Sequence, residues 1–337
     1  MARVWTDGFE IQDLNEYCVG TTAGMSTAQA RSGLASAYIQ NSGPGGDGSL
    51  YFSFDSISEF YLRFGIFVNT TGAWPYMSWK SAGTTLGYVG FTGCNILAAY
   101  TTGAGLVGQG STSVYEGVWY LVEIHVKIDG TNGVIQVKLD GMSELEIDFA
   151  GNTGAGTINQ IAFNIGYGGL GTISTAYFDD LSVNNTAGGV DDSWCGEGKI
   201  ILMKPGGDST PLELTPSAAS DHYLLVDERP SDGDTTYVEG SVVDEEDMYT
   251  LIASGLVDVD INRVWVEARS RKTTAIDGHV ALITKASGGA EVSGGDHELL
   301  TTYSLKVLGA EQLVNPVDSN PWEVADIDLI EIGARTR

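Results

Sequence analysis

The chain has 337 residues, with 17 Lys and Arg against 44 Asp and Glu and a formal charge of −27. The acids run through both halves: 6 basic and 19 acidic residues up to Gly198, 11 and 25 beyond it. Such a surface repels phosphate backbones and anionic membranes, which argues against nucleic acid as a partner. No apolar stretch reaches the roughly 20 residues that span a bilayer, so no membrane insertion is expected. The opening "MARVWTDGFE" has neither a basic n-region nor an apolar run, so synthesis in a cytoplasm without an N-terminal export signal is expected. Cys18, Cys94 and Cys195 are far apart and odd in number, which fits buried thiols better than a disulfide framework.

Helical periodicity is nearly absent. Forty-five glycines and eight prolines punctuate short alternating runs, the pattern of an all-β sandwich. After "TDGFEIQDL" and the apolar run "SEFYLRFGIFV", the segment "AWPYMSWK" places Trp74, Tyr76 and Trp79 around Pro75. Rings at a loop or strand end can stack on sugar faces, so these three are the candidate carbohydrate-binding residues. Trp74, Tyr76 and Ser78 also alternate as one strand face, for which ordinary core packing is the stronger explanation.

The clearest segment is "VWYLVEIHVKIDGTNGVIQVKLDGMSELEIDFAG". Val118, Tyr120, Val122, Ile124 and Val126 form an apolar face, while Trp119, Leu121, Glu123, His125 and Lys127 grade into a polar one. "DGTNG" and Asp140-Gly141 are turns, so a three-strand antiparallel meander is expected, with His125 on its surface side. In "ELEIDF" the set Glu144, Glu146 and Asp148 reads as the solvated face opposite Leu145, Ile147 and Phe149. "GYGGLG" at Gly166 to Gly171 does not fit a dinucleotide fingerprint and reads as loop.

"AYFDDLSVNN" sets Asp179 and Asp180 inside an otherwise apolar strand. If the first and last strands of this domain lie side by side, Glu10 and one of the two aspartates could meet on a hard cation, for which calcium is the natural candidate. The alternative is one carboxylate in solvent and the other hydrogen-bonded to a turn. A Gly-rich polar stretch, "NNTAGGVDDSWCGEG", then suggests a linker over 186–198, dividing a domain at 1–185 from a second at 199–337. Beyond it "KIILMK", "HYLLVDE", "TTYVEGSVV", "MYTLIA", "RVWVEARSRK", "HVALITK" and "IDLIEIG" suit a second, smaller β-sandwich. The segment "DEEDMYTLI" could instead open with a helical turn. The basic cluster Arg269, Arg271 and Lys272 is expected to balance local acids or meet an acidic neighbouring subunit.

"DGFE", "SEFYLRFGIFV", the meander and "YFDDLSV" together resemble a concanavalin A-like (LamG-type) jelly roll over about the first 185 residues, in the version found in structural proteins of tailed bacteriophages. The resemblance implies an all-β protein displayed on a virion, on tail or capsid. It would act through contacts with other virion proteins, as a homo-oligomer, and through attachment to host surface glycans. It also implies a structural calcium between Glu10 and Asp180 or Asp179. The alternatives are a free-standing lectin-like module and a glycoside hydrolase. Hydrolases of this fold carry E-x-D-x-E, whereas "EIDFA" offers Glu146 and Asp148 but Ala150 in the third place, so no enzyme activity is expected. The histidines 125, 222, 279 and 297 lie in no recognisable catalytic motif.

Overall fold

A computed structural model describes residues 3–14, 17–19, 22–41, 48–69, 74–92, 95–142, 145–166, 174–307 and 312–337. Cys94, Glu144 and most of the Gly166–Gly171 run lie outside these residues, as do the side chains of Cys18 and Trp74. The chain forms two compact units, Met1–Leu202 and Met203–Arg337. Among the described residues no helix is long and apolar enough to cross a membrane.

Among the described residues the first unit has fifteen strands: β1 Arg3–Asp7, β2 Cys18–Val19, β3 Ala23–Ser26, β4 Ser36–Gln40, β5 Gly48–Ile57, β6 Glu59–Val68, β7 Trp74–Ser81, β8 Thr84–Phe91, β9 Ile96–Thr101, β10 Gly105–Ser113, β11 Trp119–Lys127, β12 Gly133–Leu139, β13 Ile147–Gly151, β14 Ile158–Gly166 and β15 Thr175–Asn185. One sheet runs β13, β12, β11, β6, β15, β4, β3, with β1 also paired to β15; the other runs β10, β9, β8, β7, β14, β5, β2. The chain crosses repeatedly between the sheets, with β7–β10 and β11–β13 each running on within one sheet, giving a jelly-roll sandwich. The first and last strands are neighbours as expected, Trp5 opposite Val183 and Asp7 opposite Leu181.

The meander forms as read: β11 pairs β12 with Ile124 opposite Val137, and β12 pairs β13 with Ile135 opposite Phe149. Its apolar face, Tyr120, Val122, Ile124 and Val126, meets Phe60, Leu62, Phe163, Ile161 and Trp79 in one continuous core. Each large side chain so enclosed contributes about 1.5–3 kcal/mol relative to exposure, which makes this core the main source of the unit's stability. Residues 186–202 continue from β15 as part of the first unit.

The second unit is smaller and also all β. Its six-stranded sheet contains Pro205–Leu212, Glu246–Leu251, Glu331–Thr336, His279–Lys285 and Glu291–Ser293 in that order, with His297–Glu298 also paired to His279–Lys285. The two-stranded pair Glu267–Ser270 and Ser304–Val307 lies by it, and Val266 and Ala268 pack against Val280, Leu282, Ile332 and Ala334. "DEEDMYTLI" enters its strand at Glu246 without a helical turn, because Asp247 is committed to the Glu213 and Leu214 amides at 2.8 and 2.9 Å. "HYLLVDE" instead opens as a short 3-10 helix, His222–Leu225, whose first amides are held by the Asp208 carboxylate.

Candidate functional site

Asp179 and Asp180 are wholly buried, and Glu10 is buried nearly as completely. The strand bulges between Asp179 and Ser182, and Asp180 adopts a positive φ of 53°. That kink turns successive carboxylates onto one neighbouring loop, 29–36. Asp179 accepts the Arg31 and Ser32 amides at 2.7 and 3.1 Å on one oxygen and the Asp180 amide at 2.8 Å on the other. Asp180 accepts the Ser32 hydroxyl at 2.7 Å, the Ile200 amide at 2.6 Å and the Arg31 guanidinium at 2.6 Å. Burial, and then the adjacent Asp180, push the Asp179 carboxyl up to about 7 despite those amides.

Glu10 serves the far end of the same loop, accepting the Leu34 amide at 2.9 Å and the Ala35 amide at 3.2 Å. Between them Gly33 turns at φ 60°, and a Cβ there would collide with the Glu10 carboxylate. Glu10, Asp179 and Asp180 therefore grip one loop from two ends. Among the described residues no three His, Cys, Asp or Glu side chains come together to hold a metal ion. Calcium needs oxygen ligands at 2.3–2.6 Å, whereas every carboxylate oxygen of these three residues already faces an N–H or O–H donor, so the set does not fit the ion the sequence suggests. The expectation of one carboxylate in solvent fails as well, since neither is exposed.

This clasp also fixes residues 186–202 over the outer face of the first sheet. Arg31 donates to the Gly198 carbonyl at 2.9 Å, Arg63 to the Gly196 carbonyl at 3.2 Å, and the Gly196 amide donates to Glu123 at 2.7 Å. His125 was expected on the surface but is only 8% exposed. Its ring stacks on Tyr61 at 4.2 Å and meets Trp194 edge-on, so the overlying segment buries a side chain that alternation alone puts in solvent. His125 hydrogen-bonds Glu59 and Gln136 at 2.8 and 3.0 Å. Asp148 is exposed and accepts from Gln136, while Glu146 accepts the Ser111 and Thr112 amides and the Thr112 hydroxyl. Burial would raise the Glu146 carboxyl, but those donors outweigh it and hold the group below its ordinary value. Glu146 thus fastens β10 to the end of the other sheet, and among the described residues its hydrogen-bond partners are Ser111 and Thr112.

The other outer face is built differently. On β7 the core side is Met77 and Trp79, both buried, and Tyr76 and Ser78 point away. Trp79 is 0% exposed and cannot stack on a ligand, which corrects its place among the sugar-binding candidates and reverses the face first read as core. Tyr76 stands where that role requires. Register carries the row outward: Tyr51 opposite Ala162, Ala162 opposite Ser78, Ser78 opposite Tyr88, Tyr88 opposite Tyr100. The four tyrosines are all half-buried. Tyr88 stacks on Tyr100 with centroids 4.6 Å apart and an interplanar angle of 15°, and meets Tyr76 at 5.4 Å.

Ala162 and Ser78 separate Tyr51 from Tyr88 along this row, and the ring contacts join Tyr76, Tyr88 and Tyr100. Gly90 lies opposite Tyr76, and a Cβ there would come within 2.6 Å of the Tyr76 Cβ. Beneath the rings the Asn164 amide donates to the Ser78 hydroxyl at 3.1 Å. Burial, then the neighbouring Tyr100, raise the Tyr88 hydroxyl above its usual value, keeping it a neutral donor. Tyr51, Tyr88 and Tyr100 escaped the sequence reading because each sits in a separate strand, and only register makes them neighbours.

No protein-family model matches the chain, and no curated protein matches it. Similar solved structures include a sialidase, with 14% identity and a TM-score of 0.45 over 55% of this chain and 19% of that one. The cellulose-induced protein Cip1 has 18% identity and a TM-score of 0.46 over 58% of this chain and 100% of the other. A protein of unknown function with a galectin-like fold from Bacillus subtilis has 9% and 0.41 over 55% and 96%. The chain thus covers about a fifth of the sialidase. The similarities fall on β-sandwich proteins, several of them active on carbohydrate. They overturn the expectation that the chain is not an enzyme: a sialidase, a transglycosylase, an alginate lyase and a β-glucanase stand among its structural neighbours. At this degree of likeness none of those activities passes to this chain.

Proposed function

We propose that the first unit recognises neutral glycan chains on the outer face of β5, β14, β7, β8 and β9. The observation that carries this reading is the row of half-buried tyrosines, Tyr51, Tyr76, Tyr88 and Tyr100, over the hydrogen-bonded Ser78 and Asn164. Tyrosine joins a flat apolar ring, which suits the C–H face of a sugar, to a hydroxyl that can bond sugar oxygens. Tyr51 to Tyr100 crosses four strand spacings of about 4.8 Å, so the row is about 19 Å long. That length suits several consecutive sugar units better than one. The net charge of −27 disfavours anionic polysaccharides.

Display on a phage particle rests on the sequence resemblance alone. A weak glycan-binding face would gain avidity from repeated copies in such a setting, and would serve a free lectin-like protein as well. The test is binding of the full chain to neutral and anionic polysaccharides, with Tyr88→Ala as the control. Loss of binding to neutral chains in the variant supports the reading, and equal behaviour of variant and wild type overturns it. Scoring the same incubations for shortened products examines turnover directly.

A further inference from the structure

We propose that Arg31 is a built-in counter-ion for the buried acid pair, supplying from its own side chain the positive charge that a calcium ion would bring, so that the first unit holds its clasp without metal. Three observations carry this. The Arg31 guanidinium bonds the Asp180 carboxylate at 2.6 Å and the Gly198 carbonyl at 2.9 Å, spanning two of the chain segments that a bound cation would otherwise join. The remaining carboxylate oxygens of Glu10, Asp179 and Asp180 face the amides of Arg31, Ser32, Leu34, Ala35, Asp180 and Ile200 and the Ser32 hydroxyl, whose hydrogens would repel a cation. Packing also reserves the place of the Arg31 stem: a Cβ on Gly65 would approach its Cδ to 2.6 Å.

A second arginine supports the same strand, since Arg63 donates to the Asp180 carbonyl and to the Ser182 hydroxyl at 3.2 and 3.1 Å. The cation is therefore part of the sequence, and the clasp closes as the chain folds. Arg31 reaches the pair from the loop that the carboxylates hold, so loop, strand and overlying segment order together. Arginine suits this position because its charge is permanent and its planar fork can meet a carboxylate and a carbonyl at once.

The test is thermal unfolding of the full chain with excess chelator and with millimolar calcium. The expected result is a first-unit transition unmoved by either, lowered by about 10 °C in Arg31→Ala, the size of shift that unpairing a buried carboxylate gives in a domain of this size. Adding Asp180→Asn to Arg31→Ala should recover part of that loss, because the uncompensated charge is then gone. Should Arg31→Ala not fold, Arg31→Lys keeps the charge and loses the fork, and a smaller fall is expected. A wild-type transition that drops several degrees on chelation and returns with calcium overturns the proposal. So does strict additivity of the Arg31 and Asp180 substitutions.

Discussion

The two outer faces of the first sandwich have opposite fates. Over β6, β11 and β15 the face carries Arg63, Glu123, His125 and Asn184, and residues 186–202 lie across it, held by Arg31, Arg63, Glu123 and Asp180. Over β7, β8, β9 and β14 the face carries half-buried tyrosines with short polar side chains beneath. Charged groups buried under a covering segment are structural, because each must be matched by a donor or an acceptor of the same protein. Part-exposed aromatic rings grouped on one sheet face are what a ligand can use. The contrast is the reason recognition is proposed for the second face, while the first face is taken up by the protein's own covering segment.

Substitutions can break this division, and the largest effect is expected at Gly33. A Cβ there meets the Glu10 carboxylate at a positive φ, so Gly33→Ala should leave the first unit largely unfolded at 37 °C, as read by circular dichroism. Trp79→Ala removes a fully buried ring and should cost about 3–5 kcal/mol in chemical denaturation. Among the described residues its Nε1 has no hydrogen-bond partner, so the loss is one of packing. Tyr88→Ala should cost at least about tenfold in affinity for neutral polysaccharide, about 1.4 kcal/mol, with a much smaller change in unfolding than Trp79→Ala. His125→Ala should lower stability by about 1 kcal/mol through loss of the Tyr61 stack and two hydrogen bonds, and leave binding unchanged. The smallest effect is expected for Asp148→Asn, within about 0.5 kcal/mol in unfolding, because its side chain is exposed.

Local alternation made much of the sandwich legible. Tyr120, Val122, Ile124 and Val126 announce their face in order, and the turns at "DGTNG" and Asp140-Gly141 set the meander. The neighbouring first and last strands were also within reach, since the two ends of a sandwich domain often lie side by side. Arg31 was not, because its role depends on a loop 148 residues from Asp179 and on the bulge that turns Asp180. His125 was misplaced for a related reason: a small polar segment with Trp194 reads as linker, yet packs as a lid on a polar face. "AWPYMSWK" gave the right strand and the wrong face. Period-two alternation identifies two faces but assigns the core only when one is plainly apolar, and Trp74, Tyr76 and Trp79 put aromatic rings on both.

The central claim, that the tyrosine face binds neutral glycan, is tested most directly by affinity electrophoresis of the full chain in gels containing a neutral β-glucan or alginate. Wild type, Tyr88→Ala and His125→Ala are run side by side. The expected result is retardation of wild type and His125→Ala in the β-glucan gel, lost in Tyr88→Ala, with none of the three retarded by alginate. Retardation that survives in Tyr88→Ala, or unretarded migration of wild type in the β-glucan gel, would contradict it.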